Sequence, residues 1–164
     1  MSAGSNGGAR PQNDLGLLAP KFRAAVEAAL KRCADRGYDA SVFETYRSDE
    51  LQKIYYARGR TVIPPTRTVT NAPDNLRSWH GYGLAVDVIS RQHHWSPPKG
   101  DAWFREVAAI FKEDGLIKWG GDWTKPDMPH FQWGQCKPSP STTAQALIKS
   151  DGMEAVWKAV GAAD

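Results

Sequence analysis

Apolar residues recur every three or four positions over residues 20–36, a spacing that predicts a helix with one buried face. The residues of this stripe are Phe22, Val26, Leu30 and Cys33. Gly37 follows the stripe and is a typical helix end. A second helix is predicted between Ser48, whose hydroxyl can cap it, and Gly59. A third helix is predicted to begin at Asp101, because apolar residues follow it at the same spacing.

Four short runs rich in β-branched, aromatic and aliphatic residues predict strands. They cover residues 41–46, 84–89, 116–119 and 130–133. Residues 61–77 are rich in Pro, Thr and Asn, which indicates a long loop, and long loops in compact domains are often functional. This order of elements predicts an α+β fold, in which helices pack on a small, mainly antiparallel sheet.

Composition divides the chain into three parts. Residues 1–13 are rich in Gly, Ser and Asn and are predicted to form a disordered lead-in. Residues 14–140 contain the predicted helices and strands described above and suit a single domain. Residues 141–164 predict one or two small helices, broken near Gly152. This extension either packs on the domain or serves as an anchoring or oligomerising appendage, and packing is the favoured interpretation.

Charge and cysteine content limit the function classes. The chain has 164 residues, a net charge of +3 and no run of five basic residues, so nucleic acid is not an expected partner. No stretch of the sequence approaches the roughly 18 apolar residues of a membrane span, so stable membrane insertion is not expected. Cys33 and Cys136 are too few for a cysteine zinc site. Cys33 is predicted to be a buried thiol, and a disulfide between the two stays an open alternative.

The residues that carry chemistry lie in two short segments, 78–87 and 119–133. They supply His80, Asp87 and His130, and two imidazoles with one carboxylate suit a catalytic zinc that keeps its fourth position for water. Along an uninterrupted strand His80 and Asp87 would point to opposite faces, because they are seven positions apart and side chains alternate. Two glycines that lie between them permit a turn or bulge that brings both to one side.

A hydrolytic metal site also needs a base to accept a proton from water. Asp127 lies three residues before His130, and Pro129 stiffens the link between them, so its carboxylate can stand close to a metal without binding it. Asp122 is the second candidate for this role. A lone histidine beside glycine is usually structural, and the joint pattern of both segments is what indicates a metal site.

Residues 78–87 fit, position by position, the signature Ser-x-His-x-x-Gly-x-Ala-x-Asp. The chain thereby resembles the D-alanyl-D-alanine carboxypeptidases and related peptidoglycan peptidases. These include vancomycin-resistance dipeptidases and the L-alanyl-D-glutamate endopeptidases of phage endolysins and bacilli. The resemblance extends over residues 22–133 and includes residues 46–48, Gln52 and residues 56–60. It implies the zinc-bearing α+β fold that this family shares with lysostaphin-type enzymes and the hedgehog domain.

The resemblance also implies roles for individual residues. His80, Asp87 and His130 match the zinc ligands of the family, and Asp127 matches its catalytic carboxylate. Arg47 matches an arginine that stabilises the oxyanion, a task suited to a fixed cation beside the scissile carbonyl. The residues expected on the substrate side are Tyr46, Gln52 and Ser78. Ser78 is expected to orient either the substrate or a metal ligand.

One departure from the family pattern bears on the bond that is cut. The dipeptidase branch has a Glu before a Trp-His pair, where this chain has Met128 and Pro129. The departure favours the L-alanyl-D-glutamate branch over the D-alanyl-D-alanine branch.

The sequence therefore predicts a monomeric, Zn²⁺-dependent peptidase that cuts the L-alanyl-D-glutamate bond of the peptidoglycan stem peptide. The expected setting is a phage endolysin that causes host lysis. It would be made in the host cytoplasm without a signal peptide and act on the wall, in the periplasm, after release. Two alternatives stay open. One is a D-alanyl-D-alanine carboxypeptidase of wall remodelling, and the other is a hedgehog-like zinc-binding module without catalysis.

Overall fold

The computed structural model of the chain describes residues 8–164, and residues 1–7 of the predicted lead-in lie outside this part. The described residues form five α-helices and four β-strands, joined by loops and short 3₁₀ turns. In chain order these are α1 (Pro20–Asp35), β1 (Ala40–Glu44), α2 (Asp49–Ala57), β2 (Ala85–Ser90), α3 (Asp101–Phe111), β3 (Ile117–Trp119), β4 (His130–Trp133), α4 (Thr142–Asp151) and α5 (Met153–Ala159).

The first two helices begin close to where the sequence predicts them. Pro20 lies in the first turn of α1, where its missing N–H removes no helical hydrogen bond. The predicted stripe of α1 is buried at Phe22 and Cys33. Ser48 caps α2, since its Oγ accepts a hydrogen bond from the backbone N of Leu51 at 3.1 Å. Acidic residues occupy the first turn of α2, next to the positive end of the helix dipole.

The four strands form one antiparallel sheet in the order β1–β2–β4–β3. A register irregularity between Val42 and Glu44 in β1 brings Glu44 opposite Asp87 in β2. On its other side, Asp87 is paired with His130 in β4. Helices packed on one antiparallel sheet confirm the predicted α+β fold.

The main core lies between this sheet and the helices α1 and α3, which also pack on each other. Phe22, Val86, Phe111 and Phe131 have no exposed surface. The rings of Phe111 and Phe131 lie 4.4 Å apart between centroids. Full burial of one such side chain contributes about 1.5–3 kcal/mol, so this layer fixes which face of each strand points inward. Because side chains alternate along a strand, the residue after Val86 points to the opposite face.

Residues 61–77 form the predicted long connection, and its C-terminal end contains a 3₁₀ turn at Asn75–Arg77. The guanidinium of Arg60 donates hydrogen bonds to the carbonyls of Tyr56, at 2.7 Å, and Thr70, at 2.9 Å. The amide of Gln52 donates to the Ala72 carbonyl at 2.8 Å. The second half of the loop is therefore held by Gln52 of α2 and by Arg60, which follows that helix.

The C-terminal helices α4 and α5 meet at Gly152, whose φ is 87°. The indole of Trp133 donates a hydrogen bond to the carbonyl of Val160 at 2.6 Å. The backbone N of Lys21 donates to the carbonyl of Ala162 at 3.0 Å, and Ala162 is fully buried. These contacts join the end of the chain to both α1 and β4.

The longest helix among residues 8–164 is α1, with 16 residues. A bilayer core about 30 Å thick needs about 20 predominantly apolar residues in a helix. In the part of the chain that the structure describes, no helix has both the length and the apolar character needed to cross a membrane.

The two cysteines are separate thiols, and both side chains are buried. Burial raises the pKa of Cys33 to about 11 and that of Cys136 to about 12. The disulfide left open by the sequence is therefore absent from the folded chain.

We expect neither thiol to react with a thiol-specific reagent in the native protein at pH 8, because the thiolate is scarce and access is blocked. Two thiols per chain should react after denaturation. The measurement is a colorimetric thiol titration with and without denaturant. Fast reaction of a native thiol, or no reaction after unfolding, would contradict the burial and the free state of these side chains.

Candidate metal centre

His80, Asp87 and His130 meet on the face of the sheet opposite the main core. Each offers one ligand atom, and these three atoms lie within 4.8 Å of one another. His80 and His130 are buried, and 14% of the Asp87 side chain is exposed. Residues that are far apart in the sequence thus form one cluster, as the sequence predicts.

His80 is placed by a 3₁₀ turn at Trp79–Tyr82, directly before β2. The Oγ of Ser78 accepts a hydrogen bond from the backbone N of His80 at 3.3 Å and begins the turn. Gly83 ends it with φ at 67°, a left-handed conformation that favours glycine. A Cβ on Gly81 would lie 2.0 Å from the carbonyl oxygen of Asn75, so no other residue fits there. The predicted turn or bulge between His80 and Asp87 is therefore this 3₁₀ turn.

Asp87 and His130 are placed by the sheet itself. They are direct partners in the antiparallel pairing of β2 with β4. Side chains of directly paired residues point to the same face, with Cβ atoms about 4.5–5.5 Å apart. The ring of Trp123 lies 5.0 Å from the His130 ring, between centroids, and covers one side of it.

Hydrogen bonds orient both imidazoles. The Nδ1 of His80 lies 2.9 Å from the carbonyl oxygen of Thr45, and the Nε2 of His130 lies 2.8 Å from Oε1 of Gln132. Since both partners are acceptors, these ring nitrogens carry hydrogen. In the neutral form of each ring, the other two nitrogens, Nε2 of His80 and Nδ1 of His130, have free electron pairs on the side of Asp87. An outer hydrogen bond of this kind is typical of histidines that bind metal.

The donor set fits a divalent zinc ion. The Oδ1 of Asp87 lies 3.3 Å from Nε2 of His80 and 3.7 Å from Nδ1 of His130. Tetrahedral coordination at about 2.0–2.1 Å separates two ligand atoms by about 3.3–3.4 Å. The two distances from Asp87 are close to this spacing, and the two imidazole nitrogens lie within 4.8 Å of each other.

The charges around Asp87 keep it ionised. Burial alone would raise the pKa of this carboxyl, but the imidazoles of His80 and His130 and the guanidinium of Arg47 hold it well below its usual range. Burial likewise opposes the charged form of His130, while its hydrogen bond with Asp87 raises its pKa. A cluster that attracts protons in this way equally suits a cation.

Asp127 lies at the edge of the cluster. Its Oδ2 is 4.0 Å from Nδ1 of His130, and half of its side chain is exposed. Partial removal from water and the negative charge of Asp87 both raise the pKa of Asp127. Asp122, the second candidate base, instead pairs with Lys112 at 2.8 Å and is 56% exposed. Of the two predicted bases, Asp127 is the one beside the imidazoles.

Arg47 is buried beside the cluster, and three of its five N–H groups are hydrogen-bonded. Its Nε and Nη2 donate to the carboxylate of Glu44, and its Nη1 donates to Oε1 of Gln52 at 2.9 Å. Its Nη2 also lies 3.6 Å from Oδ2 of Asp87. Only 7% of Arg47 is exposed, so water screens its positive charge beside Asp87 only weakly.

The three predicted substrate-side residues lie in different surroundings. Gln52 is fully buried, and its amide bridges Arg47 and the long loop, so it supports the site from inside the protein. Ser78 caps the turn that carries His80. Tyr46 is half-buried, and burial raises its pKa.

Two polar residues that support the site were not predicted from the sequence. Glu44 has no exposed surface and holds Arg47, although it lies in a strand of mainly apolar residues. Gln132 is 1% exposed and orients His130. The position of Gln132 beside His130 could have been predicted, because residues two positions apart on a strand share a face. The burial of Glu44 had no such local signal, because it depends on Arg47 and on the pairing of β1 with β2.

The C-terminal part of the chain supports the turn that carries His80. The indole of Trp157 in α5 donates a hydrogen bond to the carbonyl of Tyr82 at 2.7 Å. The carbonyl of Lys137 accepts from the indole of Trp79, at 2.6 Å, and from the amide of Gln132, at 2.8 Å. One backbone oxygen thus connects the neighbours of both imidazoles.

The chain is similar in sequence to known peptidases. Residues 71–133 match the family model described as D-alanyl-D-alanine carboxypeptidase. The peptidoglycan L-alanyl-D-glutamate endopeptidase CwlK of Bacillus subtilis is 31% identical over 125 residues, which cover 70% of this chain and 72% of that protein. The chain belongs to the D-alanyl-D-alanine carboxypeptidase family of metallopeptidases. The family resemblance carried by residues 78–87 is thereby confirmed.

Two solved structures are similar to this peptidase. The L-Ala D-Glu endopeptidase ChiX of Serratia marcescens is 27% identical, with a TM-score of 0.49, and the match covers 77% of this chain and 87% of that one. The LdcB LD-carboxypeptidase is 16% identical, with a TM-score of 0.49, and the match covers 90% of this chain and 70% of that one.

In this peptidase, Trp157→Phe should lower the free energy of unfolding by about 1 kcal/mol, because it removes one hydrogen bond and keeps an aromatic ring. It should also weaken zinc binding, because the lost bond steadies the turn that carries His80. Denaturant titration and competition with a chromophoric chelator measure the two effects. Lys158→Ala, on the exposed surface of the same helix, is the control. Equal zinc affinity in the Trp157 variant and the control would contradict a supporting role for α5.

Proposed function

We propose that the chain is a zinc-dependent peptidoglycan peptidase that cuts the L-alanyl-D-glutamate bond of the stem peptide. The observation that carries the proposal is the cluster of His80, Asp87 and His130. The carboxylate of Asp127 lies at the edge of this cluster and is not one of its three ligands. Three ligands that leave a position open are typical of catalytic zinc, whereas structural zinc sites are closed by four.

His80 Nε2, Asp87 Oδ1 and His130 Nδ1 would hold the ion. Two imidazoles and a carboxylate suit zinc better than calcium or magnesium, which prefer oxygen ligands only. Zinc held there supplies Lewis acidity, which eases both the deprotonation of water and attack on an amide carbonyl.

Asp127 acts as the proton carrier in this proposal. Its carboxylate accepts the proton of the attacking water and later delivers it to the amine that leaves. Its raised pKa favours this exchange, since a base works best when its pKa approaches the working pH. The partial exposure of its side chain leaves room for water to reach it.

Arg47 contributes its charge to the same step. Three of its five N–H groups are bound to Glu44 and Gln52, and its fixed positive charge acts on the oxyanion through space. A fixed cation in a buried setting does this well, because it needs no reorganisation when negative charge develops. Its nearness to Asp87 also keeps that carboxylate in one orientation.

The similarity to CwlK and the presence of Met128 and Pro129 before His130 favour the L-alanyl-D-glutamate bond. The matched family model, described as D-alanyl-D-alanine carboxypeptidase, favours the alternative bond at the end of the stem. The fragments released from peptidoglycan have different masses in the two cases.

The experiment is mass spectrometry of purified peptidoglycan digested by the zinc-loaded protein. We expect new N-terminal D-glutamyl ends and muropeptides that retain only L-alanine. Treatment with a chelator should abolish the release, and added Zn²⁺ should restore it. Release of free D-alanine alone would establish the carboxypeptidase alternative, and zinc binding without any release would favour the non-catalytic module.

Asp127→Asn should lower kcat by at least about 100-fold, because a neutral amide cannot accept the proton. Zinc content should be unchanged, since Asp127 is outside the ligand set. Asp122→Asn is the matched control and should retain activity, because this side chain pairs with Lys112 at the surface. Rates on a synthetic stem peptide and metal content by atomic spectrometry test both statements. Full activity of the Asp127 variant would reject its assignment as base.

The biological setting we propose is host lysis by a phage endolysin that reaches the wall from the cytoplasm. The support is the resemblance to the endolysin branch. The proposed site of action is the wall of a bacterium, and the proposed active form is a monomer. Lysis of cells on expression together with a separately encoded membrane pore, compared with expression of either alone, distinguishes this setting from slow wall remodelling.

A further inference from the structure

Two arginines flank Gly59 at the end of α2, and the structure uses them differently. Arg60 stacks on the ring of Tyr56 at 3.7 Å and donates to two backbone carbonyls of the long loop. Arg58 is exposed and stacks on the ring of Tyr55, with its guanidinium carbon 5.1 Å from the ring centroid. Arg60 therefore stabilises the loop, whereas Arg58 makes no such contact with the loop.

The ring of Tyr55 connects Arg58 to the metal centre. The guanidinium carbon of Arg47 lies 4.7 Å from the centroid of the same ring. Arg47 in turn lies 3.6 Å from the carboxylate of Asp87. One aromatic ring thus contacts both the exposed guanidinium of Arg58 and the buried guanidinium of Arg47 beside the cluster.

Arg58 has no carboxylate partner within 4.0 Å among residues 8–164, unlike Arg23, Arg32 and Arg36 elsewhere on the surface. Its side-chain donors make no hydrogen bond to this part of the chain either. Stacking on an aromatic face fixes the plane of a guanidinium and leaves its in-plane N–H groups free. Such a group is prepared to bind a planar carboxylate through two parallel hydrogen bonds.

The proposed substrate offers such a carboxylate beside the scissile bond. A glutamyl residue has two carboxyl groups, and only one of them continues the stem peptide. The other is a free carboxylate, or a neutral carboxamide where the residue is amidated. The free form has to approach a site that already contains the carboxylates of Glu44, Asp87 and Asp127, and a cation at the rim offsets this repulsion.

We propose that Arg58, held by Tyr55, binds the free carboxylate of the D-glutamyl residue that follows the scissile bond. The inference rests on the proposed function. It adds a determinant of specificity: the enzyme distinguishes stems with D-glutamate from stems in which this residue is amidated. The contact is made at the rim by an exposed side chain, so the fold does not depend on it.

The experiment compares two synthetic stem peptides that differ only in this group, a carboxylate in one and a carboxamide in the other. The wild-type protein should cut the carboxylate peptide with a kcat/KM about 10–100-fold higher, since a hydrogen bond to a charged group contributes about 1.5–3 kcal/mol. Arg58→Gln should remove this preference, mainly through a higher KM for the carboxylate peptide. Its kcat/KM on the carboxamide peptide should fall much less than that on the carboxylate peptide, because a neutral amide makes a weaker hydrogen bond with a guanidinium.

Two further variants complete the test. Arg58→Lys keeps the charge but cannot form the two parallel hydrogen bonds, so it should retain part of the preference that Arg58→Gln loses. Arg105→Gln removes the same charge from the exposed side of α3 and should leave the preference intact. Zinc content of each variant should match that of the wild type.

Equal cleavage of both peptides by the wild type, or an unchanged preference in Arg58→Gln, would overturn the subsite and leave the proposed bond specificity standing. Loss of activity by Arg58→Gln on both peptides to the same extent would also overturn it, because a general defect does not distinguish the carboxylate peptide from the carboxamide peptide. Failure of the wild type to cut either peptide at the L-alanyl-D-glutamate bond would overturn the proposed function, and this inference with it.

Discussion

The pairing of Asp87 with His130 across β2 and β4 is the constraint on which the candidate metal centre depends. It puts a carboxylate and an imidazole side by side on one face, while Val86 and Phe131, the neighbouring pair, fill the core on the other. A slip of one residue would turn one ligand toward the core, because side chains alternate. Burial of the apolar pair therefore sets the geometry of the polar pair, and His80 joins them by a separate turn.

On this face, the protein balances buried charges that water screens only weakly. Glu44 and Asp87 are neighbours on adjacent strands, and Arg47 lies between them as their common counter-ion. Removing one member of a buried group of charges leaves another uncompensated, at a cost of about 3–5 kcal/mol. Gln52 extends the arrangement to the long loop. The loop beside the site is therefore tied to the same network that steadies Asp87.

The sequence predicted the local elements well because local signals determine them. The stripe that begins at Phe22 and the cap at Ser48 depend only on neighbours in the chain, and both helices begin close to the predicted positions. The meeting of His80, Asp87 and His130 was predictable from two short motifs. The burial of Glu44 and the contact of Trp157 with Tyr82 were not, since each depends on packing between distant segments.

The shared acceptor at the Lys137 carbonyl has a thermodynamic consequence. It receives hydrogen bonds from Trp79 and Gln132, and Trp157 holds the same turn from the other side. Anything that binds only the folded arrangement shifts every equilibrium coupled to it, and such linkage is reciprocal. In the proposed metal-bound form, uptake of an ion between the imidazoles and local opening of the C-terminal helix would therefore oppose each other. Fraying of the last turn would lower the affinity for the ion, and a bound ion would slow amide hydrogen exchange in that helix.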